Sequence, residues 1–205
     1  MSAARPAGTT GYDRVAPAML AMRLDFEAVH RHVLPLIPDP PARILDVGAG
    51  PGHDAATLAA RGHAVTAVEP TPELLQGAAA LYRDLSIDWV DDSLPALARL
   101  VAARATPFDL ILVEGVWAHL TESERAQAFP VLAGLMAPGG VLAISLRHGP
   151  AAPGRIVHPV TAAETLALAK AAGLATLVNV ETASIQAVNV ASGVTWTRLA
   201  FGRAR

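Results

Sequence analysis

Short apolar runs alternate with segments of helical spacing along most of the chain. Large apolar residues recur every three or four positions between residues 15 and 37, which predicts one helix ending at Pro38–Pro41. Strand patterns follow at 42–49, 64–69, 87–90, 108–115 and 141–148. Helical patterns lie at 53–61, 71–85, 94–103, 121–136 and 161–173, and a turn is predicted at 138–140. This alternation predicts five successive βα units with parallel strands.

The last part of the chain has a different pattern. Two further strands are predicted at 175–182 and 194–202, separated only by a predicted loop at 184–193. Successive strands without an intervening helix are typically antiparallel neighbours. The pattern therefore predicts an α/β fold with a seven-stranded, mostly parallel sheet and an antiparallel seventh strand.

The segment ILDVGAGPGH, residues 44–53, combines a buried strand pattern with Gly48, Gly50 and Gly52 and then a helical segment. Glycines in such a turn let the backbone approach a ligand closely, and free amides at a helix N-terminus favour a nucleotide-like group. Glu69 ends the next strand pattern, at the distance where an acid commonly binds ribose hydroxyls. These features predict an adenosine-type cofactor.

Composition sets the scale of the protein. With 205 residues, 52% of them hydrophobic and 17% charged, the chain is expected to form one compact domain. We expect residues 1–14 to be a flexible N-terminal segment and residues 15–205 to form that domain, including the helix predicted from residue 15.

Charge and residue types exclude several classes of function. The net charge is −2 and the basic residues are dispersed, so no nucleic-acid partner is predicted. The chain has no cysteine and its histidines are scattered, so we predict no metal site. The N-terminus has no signal-peptide core, and the apolar stretch at 15–22 is too short to span a membrane. A cytoplasmic protein with no membrane association is expected.

The glycine spacing discriminates between cofactors. Nicotinamide-binding folds use GxGxxG, in which the third glycine permits close packing of helix and strand. His53 occupies that third position here, which disfavours an NAD(P)-dependent reductase without excluding it.

Five motifs occur in order along the chain: DVGAGPG (46–52), Glu69, DDS (91–93), FDLILVEGVWAHL (108–120) and LMAPGGVLAIS (135–145). Together they resemble the class I S-adenosylmethionine-dependent methyltransferases over nearly the whole chain, from about residue 15 to 205. The resemblance implies a three-layer αβα Rossmann-like methyltransferase fold. It also implies S-adenosyl-L-methionine as the cofactor and a small-molecule acceptor, with the methylated atom undetermined.

The resemblance also implies which residues bind the cofactor. They are Asp46, Gly48, Ala49, Gly50, Gly52, Glu69, Asp91, Asp92, Ser93, Glu114 and Trp117. Amides of the glycine turn would contact the amino-acid part, and Glu69 would accept from both ribose hydroxyls. Either Asp91 or Asp92 would bind the adenine amino group. Trp117 could stack on adenine, face the sulfonium as a cation–π partner or simply pack in the core.

Catalytic candidates lie after the fourth and fifth strand patterns. His148 and His119 are candidate general bases, and Arg147 could hold a carboxylate or phosphate of the acceptor. Each also has a plain structural alternative as a packing, capping or solvated residue. Tyr12 could close the site from the N-terminal segment. A non-catalytic module or partner subunit that binds S-adenosylmethionine or S-adenosylhomocysteine remains the main alternative to an enzyme.

The residues also bear on the type of acceptor. Without cysteine, the covalent mechanism of cytosine-C5 methylation is excluded. VEGVW stands after strand four where an NPPY-like segment would be needed, which argues against adenine-N6 and glutamine-amide acceptors. We expect the acceptor pocket to be built by the N-terminal helix and the loops after strands four and five.

Overall fold

The computed structural model describes residues 7–104 and 106–203. Its seven strands form one sheet in the order β3-β2-β1-β4-β5-β7-β6. The strands are β1 (Arg43–Val47), β2 (Ala64–Val68), β3 (Ile87–Val90), β4 (Phe108–Val113), β5 (Met136–His148), β6 (Ala175–Ala183) and β7 (Thr195–Gly202). The pairs among β1 to β5 are parallel, and β7 runs antiparallel to both β5 and β6. The predicted fold class is confirmed.

Helices cover both faces of the sheet. They are α1 (Tyr12–Ala21), α2 (Phe26–His30), α3 (His53–Ala60), α4 (Pro72–Leu81), α5 (Ala98–Ala102), α6 (Glu122–Leu135), α7 (Ala162–Ala171) and α8 (Ala187–Ala191). One apolar cluster contains Phe26 of α2 and Leu58 of α3, and the other contains Phe129 of α6 and Ala169 of α7. Two apolar clusters against one sheet give the three-layer arrangement.

The N-terminal helical region differs from the prediction of one helix over 15–37. The first helix begins at Tyr12 and ends at Ala21, and a second short helix begins at Phe26. Met22 is extended, and the Asp25 side chain accepts from the Ala28 amide and so caps α2. The cap interrupts an otherwise continuous apolar period. Residues 1–6 of the segment expected to be flexible lie outside the described residues.

Three other local predictions were wrong. The turn at 138–140 is an irregularity inside β5, where the register against β4 shifts between Phe108 and Leu110. The helix predicted at 94–103 is only α5, because the Asp92 carboxylate accepts from the amides of Arg99 and Leu100 and starts the helix late. The loop at 184–193 contains α8.

Thr121 with Glu124 and Thr161 with Glu164 have the spacing of a capping box at the starts of α6 and α7, but only the first pair forms one. At the start of α6, Thr121 and Glu124 form the reciprocal pair. At the start of α7, the Thr161 hydroxyl accepts from the Glu164 amide, but the Glu164 carboxylate instead binds Arg125. An ion pair between buried Arg125 and partly buried Glu164 therefore joins α6 to α7 in place of the second half of the box.

Candidate functional site

A cavity of about 390 Å³ opens at the edge of the sheet where the parallel strands end. Its wall includes the residues that follow β1, β2, β3 and β4, the end of β5, and parts of α1 and of the chain around α8. This volume lies in the range of small-molecule sites, and the carboxyl edge is where open α/β sheets bind ligands.

The glycine turn after β1 requires glycine at two positions. Gly48 has φ +72°, and a Cβ there would lie 2.4 Å from Cγ2 of Val116. Gly52 has φ +79°, and its Cβ would lie 2.5 Å from the Trp89 ring. Side chains at either position would collide with neighbouring residues in a backbone conformation that already disfavours them. The turn is thus tightly packed against β3 and the loop after β4.

The amides of this turn have partners within the protein. The Gly48 and Ala49 amides both donate to the Val68 carbonyl, at 2.8 and 2.9 Å. The Gly50 amide donates to Glu69, and the Gly52 amide donates to the Ala49 carbonyl. These bonds fix the turn to the end of β2, and its contact with the cofactor stays a prediction.

Glu69 lies just after β2 and lines the cavity with only 5% of its surface exposed. Oε2 accepts from the Gly50 amide at 2.9 Å, and Oε1 accepts from the Thr71 amide at 2.7 Å. Burial raises the pKa of Glu69, and hydrogen bonds from Thr71 and Gly50 oppose that rise. A carboxylate oxygen accepts more than one hydrogen bond, so the fixed carboxylate keeps capacity for a diol.

Asp46 lies in β1, lines the cavity and is 2% exposed. Its Oδ2 is buried without a partner among the described residues, whereas the other side of the carboxylate accepts from the Ala55 amide. Burial and the charge of Asp54 hold the pKa of Asp46 well above its usual value. A buried acceptor without a partner is costly, and a ligand that donates to it would remove that cost.

Beside Asp46, the His30 Nε2 atom lies 2.8 Å from the Asp54 carboxylate. Burial disfavours the charged imidazole, but the Asp54 carboxylate outweighs it and raises the pKa of His30. His30 thereby partly neutralises the acidic end of the cavity.

Most of the predicted cofactor-binding residues line this one cavity. They are Asp46, Gly48, Ala49, Gly50, Glu69, Ser93 and Glu114. Gly52 does not, because it packs behind the turn against Trp89. Asp92 is occupied in capping α5, and Asp91 lies 3.5 Å from the Arg99 guanidinium. Neither aspartate lines the cavity.

Trp117 does not reach the cavity, which corrects its inclusion among the cofactor-binding residues. The side chain is fully buried and packs edge-to-face against Phe129, with ring centroids 6.0 Å apart. Its indole nitrogen donates to the Thr165 hydroxyl at 3.2 Å. Of the three alternatives considered for this residue, the structure selects core packing.

The predicted catalytic residues also divide into those that line the cavity and one that does not. His119 and Arg147 line the cavity, and His148 does not. His148 Nε2 lies 2.8 Å from the Thr197 hydroxyl, on the strand pair of β5 and β7. Alternation along β5 places neighbouring side chains on opposite faces, so Arg147 and His148 cannot both face the site.

His119 forms a chain of contacts that the sequence did not reveal. Its Nδ1 is 2.6 Å from the Ile156 carbonyl, which can only accept, and its Nε2 is 2.8 Å from the Tyr12 hydroxyl. Burial lowers the pKa of His119, and the nearby Arg155 and Arg147 charges lower it further against the effect of the Ile156 bond. Neutral His119 therefore presents Nε2 as an acceptor to the Tyr12 hydroxyl.

Further lining residues were missed by the sequence analysis. They are Arg155 in the segment after β5, Gln186 and Asn189 around α8, and Trp196 and Arg198 on β7. An antiparallel seventh strand was predicted, but its pairing with β5, which sets Trp196 directly opposite Arg147, was not. Nothing in the spacing of the segment after β5 pointed to Arg155.

A family model described as a methyltransferase domain matches residues 44–140, which contain the glycine turn, Glu69 and the strand that precedes His119. A ubiquinone biosynthesis O-methyltransferase of Xylella fastidiosa is 33% identical over 128 residues, covering 62% of this chain and 48% of the relative. The chain is therefore similar to the class I S-adenosylmethionine-dependent methyltransferases. It spans about half the length of the curated relatives it matches.

Solved methyltransferase structures share the fold of this chain. The magnesium protoporphyrin IX methyltransferase of Synechocystis PCC 6803, solved with bound S-adenosylmethionine, has a TM-score of 0.71 at 14% identity, with 100% of both chains covered. The N-methyltransferase NodS of Bradyrhizobium japonicum, in complex with S-adenosylhomocysteine, has a TM-score of 0.69 at 20% identity, covering 95% of this chain and 99% of that chain.

Two further findings concern the described residues as a whole. No helix in residues 7–104 or 106–203 is both long and apolar enough to cross a bilayer. Within the same ranges, no three histidine or acidic side chains gather into a group that could hold a metal ion.

Proposed function

We propose that this chain is an S-adenosylmethionine-dependent methyltransferase that methylates a hydroxyl oxygen of a small-molecule acceptor. One observation carries the proposal: Glu69, whose carboxylate is fixed by two amides, and Asp46, whose buried Oδ2 has no partner among the described residues, line the same cavity beside a tightly packed glycine turn. We propose that the domain expected over residues 15–205 also includes the start of α1, because Tyr12 lines the cavity.

These residues fit the cofactor by chemistry. Glu69 would accept hydrogen bonds from the two ribose hydroxyls, because its oxygens are already oriented by the Gly50 and Thr71 amides. Asp46 would accept from the ammonium of the cofactor's amino-acid part, which would satisfy its orphaned oxygen. Ser93 lines the side where the adenine would lie, and the Glu114 backbone would flank the methionine side.

When bound, S-adenosylmethionine supplies a methyl group that is electrophilic because it sits on a sulfonium. The protein's own contribution is to hold the acceptor oxygen in line with that methyl and to remove the acceptor's proton. Holding two reactants in line is worth roughly 7–11 kcal/mol in intramolecular models.

Tyr12 and His119 are suited to that proton transfer. The acceptor hydroxyl would donate its proton to the Tyr12 oxygen while the Tyr12 proton moves to His119 Nε2. Nδ1 keeps its own proton on the Ile156 carbonyl throughout. The need for a base is greater for a hydroxyl than for an amine, so this pair favours oxygen as the methylated atom. The O-methyltransferase name of the Xylella relative supports the same choice.

Calorimetric titration with S-adenosylhomocysteine, followed by transfer of a labelled methyl group to catechol, tests the proposal. Saturable binding and methylated catechol are expected. If S-adenosylhomocysteine does not bind and NADH does, the reductase alternative replaces the proposal. If it binds but catechol and a panel of other hydroxyl acceptors gain no label, the non-catalytic module replaces it.

Tyr12→Phe is expected to lower kcat by roughly 100-fold, the lower end of general acid–base contributions. The variant keeps the ring and its stacking with Arg155, so binding of S-adenosylhomocysteine should be unchanged. In the wild type, kcat should hold down to a pH below the ordinary histidine value and fall only when His119 becomes protonated, because its pKa is lowered. Tyr82→Phe, outside the cavity, is the matched control. Equal kcat in the two variants would remove Tyr12 from the mechanism.

A further inference from the structure

Both acidic and basic side chains line the cavity. Asp46 of β1 and Glu69, just after β2, belong to the side assigned above to the cofactor. The guanidiniums of Arg147, Arg155 and Arg198 come from β5, the segment after it and β7. Arg147 and Arg198 lie on strands to the other side of β4 from β1, whereas Arg155 lies beside α1, with Nη2 3.8 Å from the Met19 sulfur.

Two of these guanidiniums lack a counter-charge. Arg198 forms an ion pair with Glu114. Arg147 has one long hydrogen bond, 3.4 Å to the Gly149 carbonyl, and Arg155 stacks on the Tyr12 ring with its guanidinium carbon 3.5 Å from the centroid. Neither of the two forms an ion pair with a carboxylate in residues 7–104 or 106–203.

The same two arginines surround the pair assigned to proton transfer. Both lie close enough to Tyr12 and His119 for their charges to act on both groups. An anion bound between them would therefore lie next to the atom that accepts the acceptor's proton. The Trp196 side chain, opposite Arg147 in the strand register, provides an apolar wall beside them. An acceptor with an aromatic or other apolar body and one anionic group would fit between the two arginines and Trp196.

We propose that the acceptor carries a carboxylate or a similar planar anion, which Arg147 binds with assistance from Arg155. This inference rests on the proposed function and narrows its acceptor class. Arg147 determines which acceptor binds, because two N–H groups of its guanidinium can donate to both oxygens of a carboxylate. Arg155 closes the site from the Tyr12 side.

The test compares protocatechuate with catechol, which differ by one carboxylate, on protein saturated with S-adenosylhomocysteine. Calorimetry is expected to give roughly tenfold or greater preference for protocatechuate, the value of one charge-assisted contact. Arg147→Ala should abolish the preference and leave catechol binding unchanged. Arg147→Lys should keep part of it, because the charge remains and the fork is lost.

Arg83→Ala is the matched control, since Arg83 is an exposed arginine after α4 that does not line the cavity. It should keep the full preference. Absence of protocatechuate binding to the wild type, or equal weakening of both probes in Arg147→Ala, overturns the inference.

A separate titration identifies the source of the anion. S-adenosylhomocysteine itself carries a carboxylate, so it is titrated into Arg147→Ala without any acceptor present. Unchanged affinity is expected. A tenfold loss there, with the preference for protocatechuate intact, would mean that the arginine binds the cofactor's carboxylate and would overturn the inference. Failure of the wild type to bind S-adenosylhomocysteine would instead count against the proposed function, and protocatechuate binding could still be measured on the free protein.

Discussion

Glu69→Ala is expected to raise the Kd for S-adenosylhomocysteine by roughly 100-fold or more, about 3 kcal/mol for two charge-assisted hydrogen bonds of about 1.5 kcal/mol each. The side chain is nearly fully buried and positioned by two backbone amides, so little reorganisation can compensate for its loss. Calorimetric titration measures the change directly.

The loss of Glu69 also removes the acceptor for the Gly50 amide, and two comparisons separate this effect from ligand binding. Glu73→Ala, on the exposed first turn of α4, should bind as the wild type does. Glu69→Gln keeps the volume and one acceptor oxygen, so an intermediate Kd is expected. Wild-type affinity in Glu69→Ala, with an unchanged thermal transition, would exclude the ribose role of this residue.

Glu164→Gln is expected to lower the free energy of unfolding by about 3 kcal/mol, because it leaves a buried guanidinium without its counter-charge. Arg125 is 2% exposed and binds both carboxylate oxygens of Glu164, at 2.6 and 3.0 Å. The lower end of the usual range applies because the Glu164 side chain retains 23% exposure. Urea denaturation with linear extrapolation measures the difference.

Glu122→Gln, also a glutamate near a helix start but exposed, is the control and should change stability by less than about 0.5 kcal/mol. The double variant Arg125→Met with Glu164→Leu should recover part of the loss, since an apolar pair needs no counter-charge. Recovery will be incomplete because Arg125 also donates to the Leu120 and Pro159 carbonyls. A change below about 1 kcal/mol in Glu164→Gln would show that water replaces the lost charge.

The sequence was sufficient for features whose cause is local. The strands were predicted from the spacing of apolar residues, the turn from its glycines, and Glu69 from its distance after that turn. The structure places all three as predicted. The antiparallel seventh strand was predicted correctly from the short connection between the last two strands, although that connection contains the five-residue helix α8. The adjacent carboxyl ends of β1 and β2 then brought Asp46 and Glu69 to one cavity without further assumptions.

The errors arose where distant residues decide an outcome. Asp92 was available for adenine by its position after β3, but the amides of α5 occupy it. Trp117 was expected near the ligand by its position after β4, but Phe129 and Thr165 hold it in the core. Tyr12 could be placed near His119 only by the three-dimensional path of α1, because 107 positions separate them.

Because β7 pairs with β5, the contacts proposed for the cofactor and for the anionic group of the acceptor come from different parts of the chain. Asp46, Glu69 and Glu114 line the cofactor side of the cavity, whereas Arg147, Arg155 and Trp196 come from later segments. Acceptor preference can therefore change through substitutions in the second half of the sequence while the cofactor side stays the same. Transplanting the stretch from 147 to 198, which contains all three later residues, between two such domains should transfer the acceptor preference with it.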